Sequence, residues 1–244
     1  MLGPTHRMGG IAFGALMPIV IEKVMGVHID KPLLFASVSM AGGAIGSLIP
    51  DIDSPSSTIG RRMRGISRFI AETLGHRGGT HTLICLLIFG FFTIFLGDKL
   101  QSFLSGNLTE ENRLIFSIIV AFIIMTSAMF IVKHVPLQKG KITKLKGTGT
   151  ILLIFIITVL ISFSYSSIFL HYVKVYLLGV VVGYASHIFL DMFTRAGVPF
   201  FKPFTDYRIS FTNYKTGSGI EDFTKVISTV VIVLSIITLG KIQL

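Results

Sequence analysis

Charge is scarce in this 244-residue chain: only 14% of residues are Asp, Glu, Lys or Arg, 51% are hydrophobic, and the mean hydropathy is +0.77. That scarcity excludes an ordinary soluble domain, about a quarter of whose residues are charged. Cysteine is nearly missing too. The lone Cys85 excludes an intrachain disulfide and a thiolate zinc site, and it leaves the redox compartment open. There is no low-complexity tract, internal repeat or long polar linker, so residues 1–244 read as a single membrane-embedded domain. The first apolar stretch follows His6 and Arg7 and runs into Glu22 and Lys23 without a small-residue cleavage site, which argues against a cleaved signal peptide.

What the chain has is apolar length. Stretches able to cross a bilayer occupy 32–50, 78–97, 114–132, 147–173 and 175–190, with weaker candidates at 8–21 and 226–240. The expected fold is all-α, a polytopic membrane helical bundle of about seven apolar helices, five to seven of them spanning. With the N-terminus inside, residues 1–7, 51–81, 133–146 and 193–223 share one side and carry most of the 22 Lys and Arg, the lysines of "KHVPLQKGKITKLKG" among them. The positive-inside rule makes that side cytoplasmic. The net charge of +10 then reads as a topology signal and a contact for anionic lipid headgroups, with no specific nucleic-acid partner expected.

The same parity gathers nearly all clustered polar residues at the cytoplasmic helix ends. In "GSLIPDIDSPS", Pro50 and Pro55 bracket Asp51 and Asp53, so both carboxylates sit on a turn at a helix end, where capping is the plain alternative to metal binding. In "GHRGGTHTLI", Gly78 and Gly79 lie between His76 and His81 and allow a tight turn that aims both imidazoles at one place. In "GYASHIFLDMFTRAGVPF", His187 and Asp191 stand one helical turn apart on one face. An intramembrane carboxylate is costly without a partner, so this pair reads as a helix staple or as two metal ligands. His6 precedes the first apolar helix and Glu221 the last. His28, His134 and His171 read as ordinary surface or interfacial residues.

Together His6, His76, His81 and His187 with Asp51, Asp53, Asp191 and Glu221 make a thiolate-free donor set suited to Zn2+, with Mn2+ or Fe2+ as alternatives. Eight donors exceed one tetrahedral ion and suit two or three. Such a site favours hydrolysis of a phosphoester. In that reading Asp51 or Asp53 bridges ions or acts as general base, Arg77 faces the substrate phosphate, and Arg61, Arg62 and Arg64 draw in an anionic headgroup or nucleotide.

In series, "TH", "LIPDIDSPSSTIGRR", "GHRGGTHTL", "LGVVVGYASHIFLDMFTRAGVPFFKPF" and "GSGIE" resemble the YdjM-like family of inner-membrane-associated, metal-dependent hydrolases, also called LexA-regulated membrane-bound hydrolases. The resemblance covers residues 5–222. It implies a distant relation to the zinc-dependent phospholipase C superfamily, an all-helical fold holding a zinc cluster through His, Asp and Glu. It also implies the same eight residues as ligands and an inner-membrane, multi-pass location. The chain departs from that pattern in a helical insert at about 99–175 and in Ser54, where the family commonly has histidine.

Two other classes fit the same residues. A metal or proton transporter would hold its ionisable pairs near the bilayer midplane on broken helices. A non-catalytic membrane protein would use a closed metal cluster to tie helix ends together.

Overall fold

The structure is a computed structural model that describes residues 1–75, 77–106, 109–132 and 148–242. His76 and the lysine-rich loop with His134 fall outside the described residues. The fold is all-helical. In chain order the helices are α1 (Gly3–Val24), α2 (Pro32–Gly46), a 3-10 turn (Pro50–Asp53), α3 (Arg64–Leu74), α4 (Leu83–Gly106), α5 (Glu110–Val132), α6 (Thr148–Ser164), α7 (Ser166–Asp191) and α8 (Ile220–Ile242). Four segments among the described residues are long and apolar enough to cross a membrane: Pro32–Asp53, Leu83–Leu104, Ser166–Asp191 and Ile220–Lys241. Large apolar side chains such as Phe91 and Phe92 on α4 and Val230 and Leu234 on α8 are exposed, as befits helices whose solvent is hydrocarbon.

The chain forms two compact units, Met1–Phe95 with Val175–Leu244, and Leu96–Lys174. In the second, Leu104, Phe116, Val120 and Leu170 make a small apolar core. Arg113 bonds Ser166 Oγ at 2.9 Å and lies over the Phe163 ring. The expected helix break near Lys174 does not occur. The Lys174 ammonium reaches Asp98 at 2.6 Å and stays within α7, and the chain instead turns at Tyr165.

The first unit is built on close backbone approach. Gly10 and Gly14 of α1, Gly42 and Gly46 of α2, and Gly179 and Gly183 of α7 each stand four apart on one helix face. A Cβ on Gly43 would overlap the Gly10 carbonyl, one on Gly183 would overlap the Gly43 carbonyl, and one on Gly46 would overlap Val180. Ser39 Oγ adds a 2.7 Å bond to the Gly14 carbonyl. α2 is thus clasped between α1 and α7, and the start of α1 meets the end of α7.

Residues 51–81, expected as a polar connection, contain the amphipathic helix α3. Ser67 of α3 is buried, Ile66 and Phe69 are exposed, and Arg64, Arg68 and Glu72 form its polar side. This is the pattern of a helix lying in a membrane interface.

Candidate metal centre

Four segments of the first unit meet at one end. The last turn of α7 brings His187 and Asp191, the first turn of α1 brings His6, the 3-10 turn brings Asp51 and Asp53, and the loop before α4 brings Arg77, Thr80 and His81. His6, Asp53, His81, His187 and Asp191 are all fully buried. Two donor triplets result, His6 with His187 and Asp191, and Asp51 with His81 and His187.

Hydrogen bonds fix the tautomers. His187 Nδ1 lies 2.6 Å from the Ser47 carbonyl, which only accepts, so Nδ1 carries the proton and Nε2 presents a lone pair. His81 Nδ1 lies 3.2 Å from Asp53 Oδ2 and 3.0 Å from Thr80 Oγ1, whose own hydroxyl donates to Asp53 at 2.5 Å. Its Nδ1 is therefore the donor as well. The Tyr184 hydroxyl donates to the Thr80 carbonyl and steadies this loop against α7. Consequently the two Nε2 lone pairs face each other at 3.2 Å inside the protein. Burial holds the His81 pKa below its ordinary value despite the opposing hydrogen bond that His81 donates to Asp53, so a proton does not resolve this contact near neutral pH.

Carboxylate oxygens close the cage. Asp191 Oδ2 is 3.6 Å from His81 Nε2 and 3.7 Å from His187 Nε2, and Asp51 Oδ1 is 3.7 Å from His187 Nε2. Tetrahedral bonds of about 2.0–2.1 Å imply donor separations of roughly 3.3–3.4 Å, close to those found. His6 stacks on His187 with ring centres 3.5 Å apart, and its Nε2 lies 3.3 Å from Asp191 Oδ1 without hydrogen-bond geometry. Burial, and after it the His187 ring, holds His6 well below the ordinary imidazole pKa. The donor set therefore fits a divalent cation.

Its arrangement bears on stoichiometry. Both triplets share His187, and with Nδ1 committed to Ser47 only one lone pair remains. One ion would be held by His81, His187 and Asp51, with Asp191 Oδ2 3.6 and 3.7 Å from the two Nε2 atoms. A second would have to be held from Asp191 Oδ1 and His6, the side on which the Met1 amine contacts Asp191.

Not all the expected ligands converge. Asp53 stands behind His81, also accepting the Arg77 backbone N–H at 2.8 Å, which makes it an orienting carboxylate. Glu221 accepts from Leu2 N at 3.0 Å, Gly217 N at 3.2 Å and the Thr5 hydroxyl, and so ties the start of α1 to the start of α8. Arg77, at φ 56°, places its guanidinium 2.8 Å from Asp191 Oδ2 and 3.3 Å from Thr194 Oγ1. Sequence reasoning did not single out Ser47, whose role is a backbone carbonyl and leaves no side-chain signal. Thr80 sits inside "GGTHT" and was findable as a hydroxyl beside a ligand.

A cavity of about 680 Å³ opens beside the cage, with Asp51 and Arg77 in its wall. The Asp51 side chain is 18% exposed while those of its histidine neighbours are at 0%, so it alone of the five donors reaches open space.

A family profile described as YdjM inner membrane protein matches residues 1–137 and 147–242. The chain is 38% identical over 100 residues to an uncharacterized protein of Bacillus subtilis (strain 168), YvsG, which spans 41% of this chain and 56% of that protein. It is 38% identical over 73 residues to the inner membrane protein YdjM of Escherichia coli (strain K12), 26% of this chain and 36% of that one, and equally to YdjM of Shigella flexneri. The matched stretch thus covers about half or less of these relatives' length. No solved structure matches the chain. With a match along nearly its whole length and apolar helices to accord with it, the chain belongs to the YdjM inner membrane protein family.

Proposed function

We propose that this protein is a metal-dependent hydrolase of phosphoesters, its site at the cytoplasmic face of the inner membrane. The observation that carries the reading is the pair of facing Nε2 atoms, 3.2 Å apart and buried, beside two carboxylates and a cavity that reaches Asp51.

His81, His187, Asp51 and Asp191 would hold the ion, with His6 beside Asp191 and zinc the metal that this donor chemistry suits best. When bound, the ion supplies Lewis-acid polarisation of a phosphoryl oxygen. The chain's own groups do the rest. Asp53 and the Ser47 carbonyl hold the two imidazoles in the ligating tautomer. Asp51, the carboxylate at the cavity wall, is the group placed to take a proton from an incoming nucleophile. Arg77 bridges the cavity wall and Asp191, and it meets negative charge on a substrate.

The complete burial of four donors also favours a second reading, a metal that ties helix ends without turnover. Elemental analysis of the detergent-purified protein and a screen of phosphomonoester, phosphodiester and phospholipid substrates with and without chelator separate the two. Turnover that vanishes with chelator supports the hydrolase; stoichiometric metal with no turnover supports the structural centre; absence of bound transition metal sinks both.

A further inference from the structure

The cavity beside Asp51 carries more positive charge than the metal centre uses. Three guanidiniums line it, those of Arg61, Arg77 and Arg208, against the single carboxylate of Asp51. Arg77 is paired with Asp191. Arg61 and Arg208 are not paired with any carboxylate among the described residues. Arg61 spends one N–H on the Ser56 carbonyl at 2.6 Å, and Arg208 one on the Ala196 carbonyl at 3.4 Å. Each guanidinium has five N–H donors, so most remain free while the backbone contact limits the side chain's wandering.

Both arginines are anchored to the metal centre. Arg61 N bonds the Ser57 carbonyl at 3.1 Å, and Ser57 Oγ donates to the Asp51 carbonyl at 2.7 Å. Arg208 precedes Ile209, which exchanges backbone bonds of 3.1 and 2.9 Å with Val198. Ser210 Oγ then donates to the Thr194 carbonyl, and Thr194 Oγ1 to the Asp191 carbonyl, both at 2.8 Å. The loops bearing the two cations thus hang from the backbones of two carboxylates of the cage. Serine and threonine hydroxyls of residues 54–58 line the space between.

We infer that Arg61 and Arg208 form a clamp for a dianionic phosphoryl group, and that the substrate class is a phosphomonoester, lipid-borne or soluble. This rests on the hydrolase reading of the same site. The charge decides the class: a phosphomonoester carries about −1.5 to −2 near neutral pH, matching two uncompensated guanidiniums, whereas a diester carries a single charge. The volume decides the size, since about 680 Å³ takes a phosphate together with the group it esterifies. Planar guanidinium forks suit phosphate oxygens bidentately, which a point-charge lysine does not.

The test titrates inorganic phosphate into the full-length protein in detergent by calorimetry, before and after chelator treatment, with metal content measured in parallel. Arg61→Gln and Arg208→Gln should each weaken phosphate binding by about tenfold or more while leaving metal content unchanged. Arg208→Lys should recover part of the loss, and Arg68→Gln, on the polar side of α3, should change nothing. Nanodiscs containing phosphatidic acid against phosphatidylcholine alone distinguish the sources: phosphate binding competed only by phosphatidic acid assigns a lipid substrate, and binding indifferent to the lipid assigns a soluble one. Phosphate binding equal in wild type and both glutamine variants, or absent from wild type at millimolar phosphate, overturns the clamp. Arginine-dependent phosphate binding in a protein without metal would overturn the hydrolase reading and leave the clamp standing. Stoichiometric metal with arginine-independent phosphate binding would do the reverse.

Discussion

His81 and His187 approach Nε2 to Nε2 at 3.2 Å, and each has its Nδ1 hydrogen committed, one to Asp53 or Thr80 and the other to the Ser47 carbonyl. Two lone pairs facing at that distance repel unless a cation lies between them. His81→Ala or His187→Ala should therefore bring bound metal close to zero by elemental analysis. In the wild type, free metal at about 100 times its Kd should stabilise the fold by about 2.7 kcal/mol, read as a raised thermal midpoint. Equal midpoints with and without metal would contradict it.

Acidification should destabilise the metal-free protein. His6 and His81 both have folded pKa values below the ordinary 6.5, largely through burial, so the unfolded chain binds more protons as pH falls through that value. Their contribution is full above about 6.5 and is lost below it. Thermal midpoints of chelated protein between pH 7.5 and 5 should be level at the upper end and fall at the lower. A midpoint that rises on acidification would show that these imidazoles are not buried in the neutral form.

Asp53 should behave as an orienting group. Asp53→Asn keeps the shape but weakens the acceptor that holds His81 Nδ1, so metal affinity should fall by about 10–100-fold without being abolished. Competition against a chelator of known affinity measures this. A loss as complete as that of His187→Ala would make Asp53 a direct ligand.

The packing of α1, α2 and α7 offers a matched pair of substitutions. Gly43→Ala puts a methyl group into the Gly10 carbonyl and should lower stability by about 1–3 kcal/mol, loosening the site with it. Gly240→Ala, on α8 with open space around it, should be neutral or slightly stabilising. Thermal midpoints in one detergent compare them directly, and equal effects would dismiss close approach as the reason for these glycines.

The convergence of the candidate ligands was legible where it depends on side-chain spacing. His187 and Asp191 share a face because they are four apart on a helix, and His81 precedes an apolar run that had to be a helix. The roles of Asp51 and Asp53 were not separable, because Asp-x-Asp on a turn does not say which carboxylate faces inward; the backbone N–H of Arg77 and the hydroxyl of Thr80 decide it. The all-helical membrane fold followed from apolar length, but its helix ends did not. Lys174 looked like a terminus until Asp98 gave its charge a partner. The four-residue glycine spacings on α1, α2 and α7 were present in the sequence, and their meaning depends on which helices are neighbours.

Glu221 separates the sequence expectation from the structure most sharply. As one of eight acidic and imidazole residues near one membrane face it read as a ligand, yet its oxygens are taken by Leu2 N, Gly217 N and the Thr5 hydroxyl. It thereby satisfies the N–H of Leu2, the N-cap residue of α1, the Thr5 hydroxyl in the first turn, and the Gly217 N–H just before its own helix. Glu221→Ala leaves these donors without their acceptor and should cost about 1–3 kcal/mol of stability. Metal stoichiometry, which in the proposed centre rests on Asp191 and the imidazoles, should stay at the wild-type value. Elemental analysis of the folded variant decides: loss of metal would return Glu221 to the ligand set, and retention with a lowered thermal midpoint would fix it as the tie between α1 and α8.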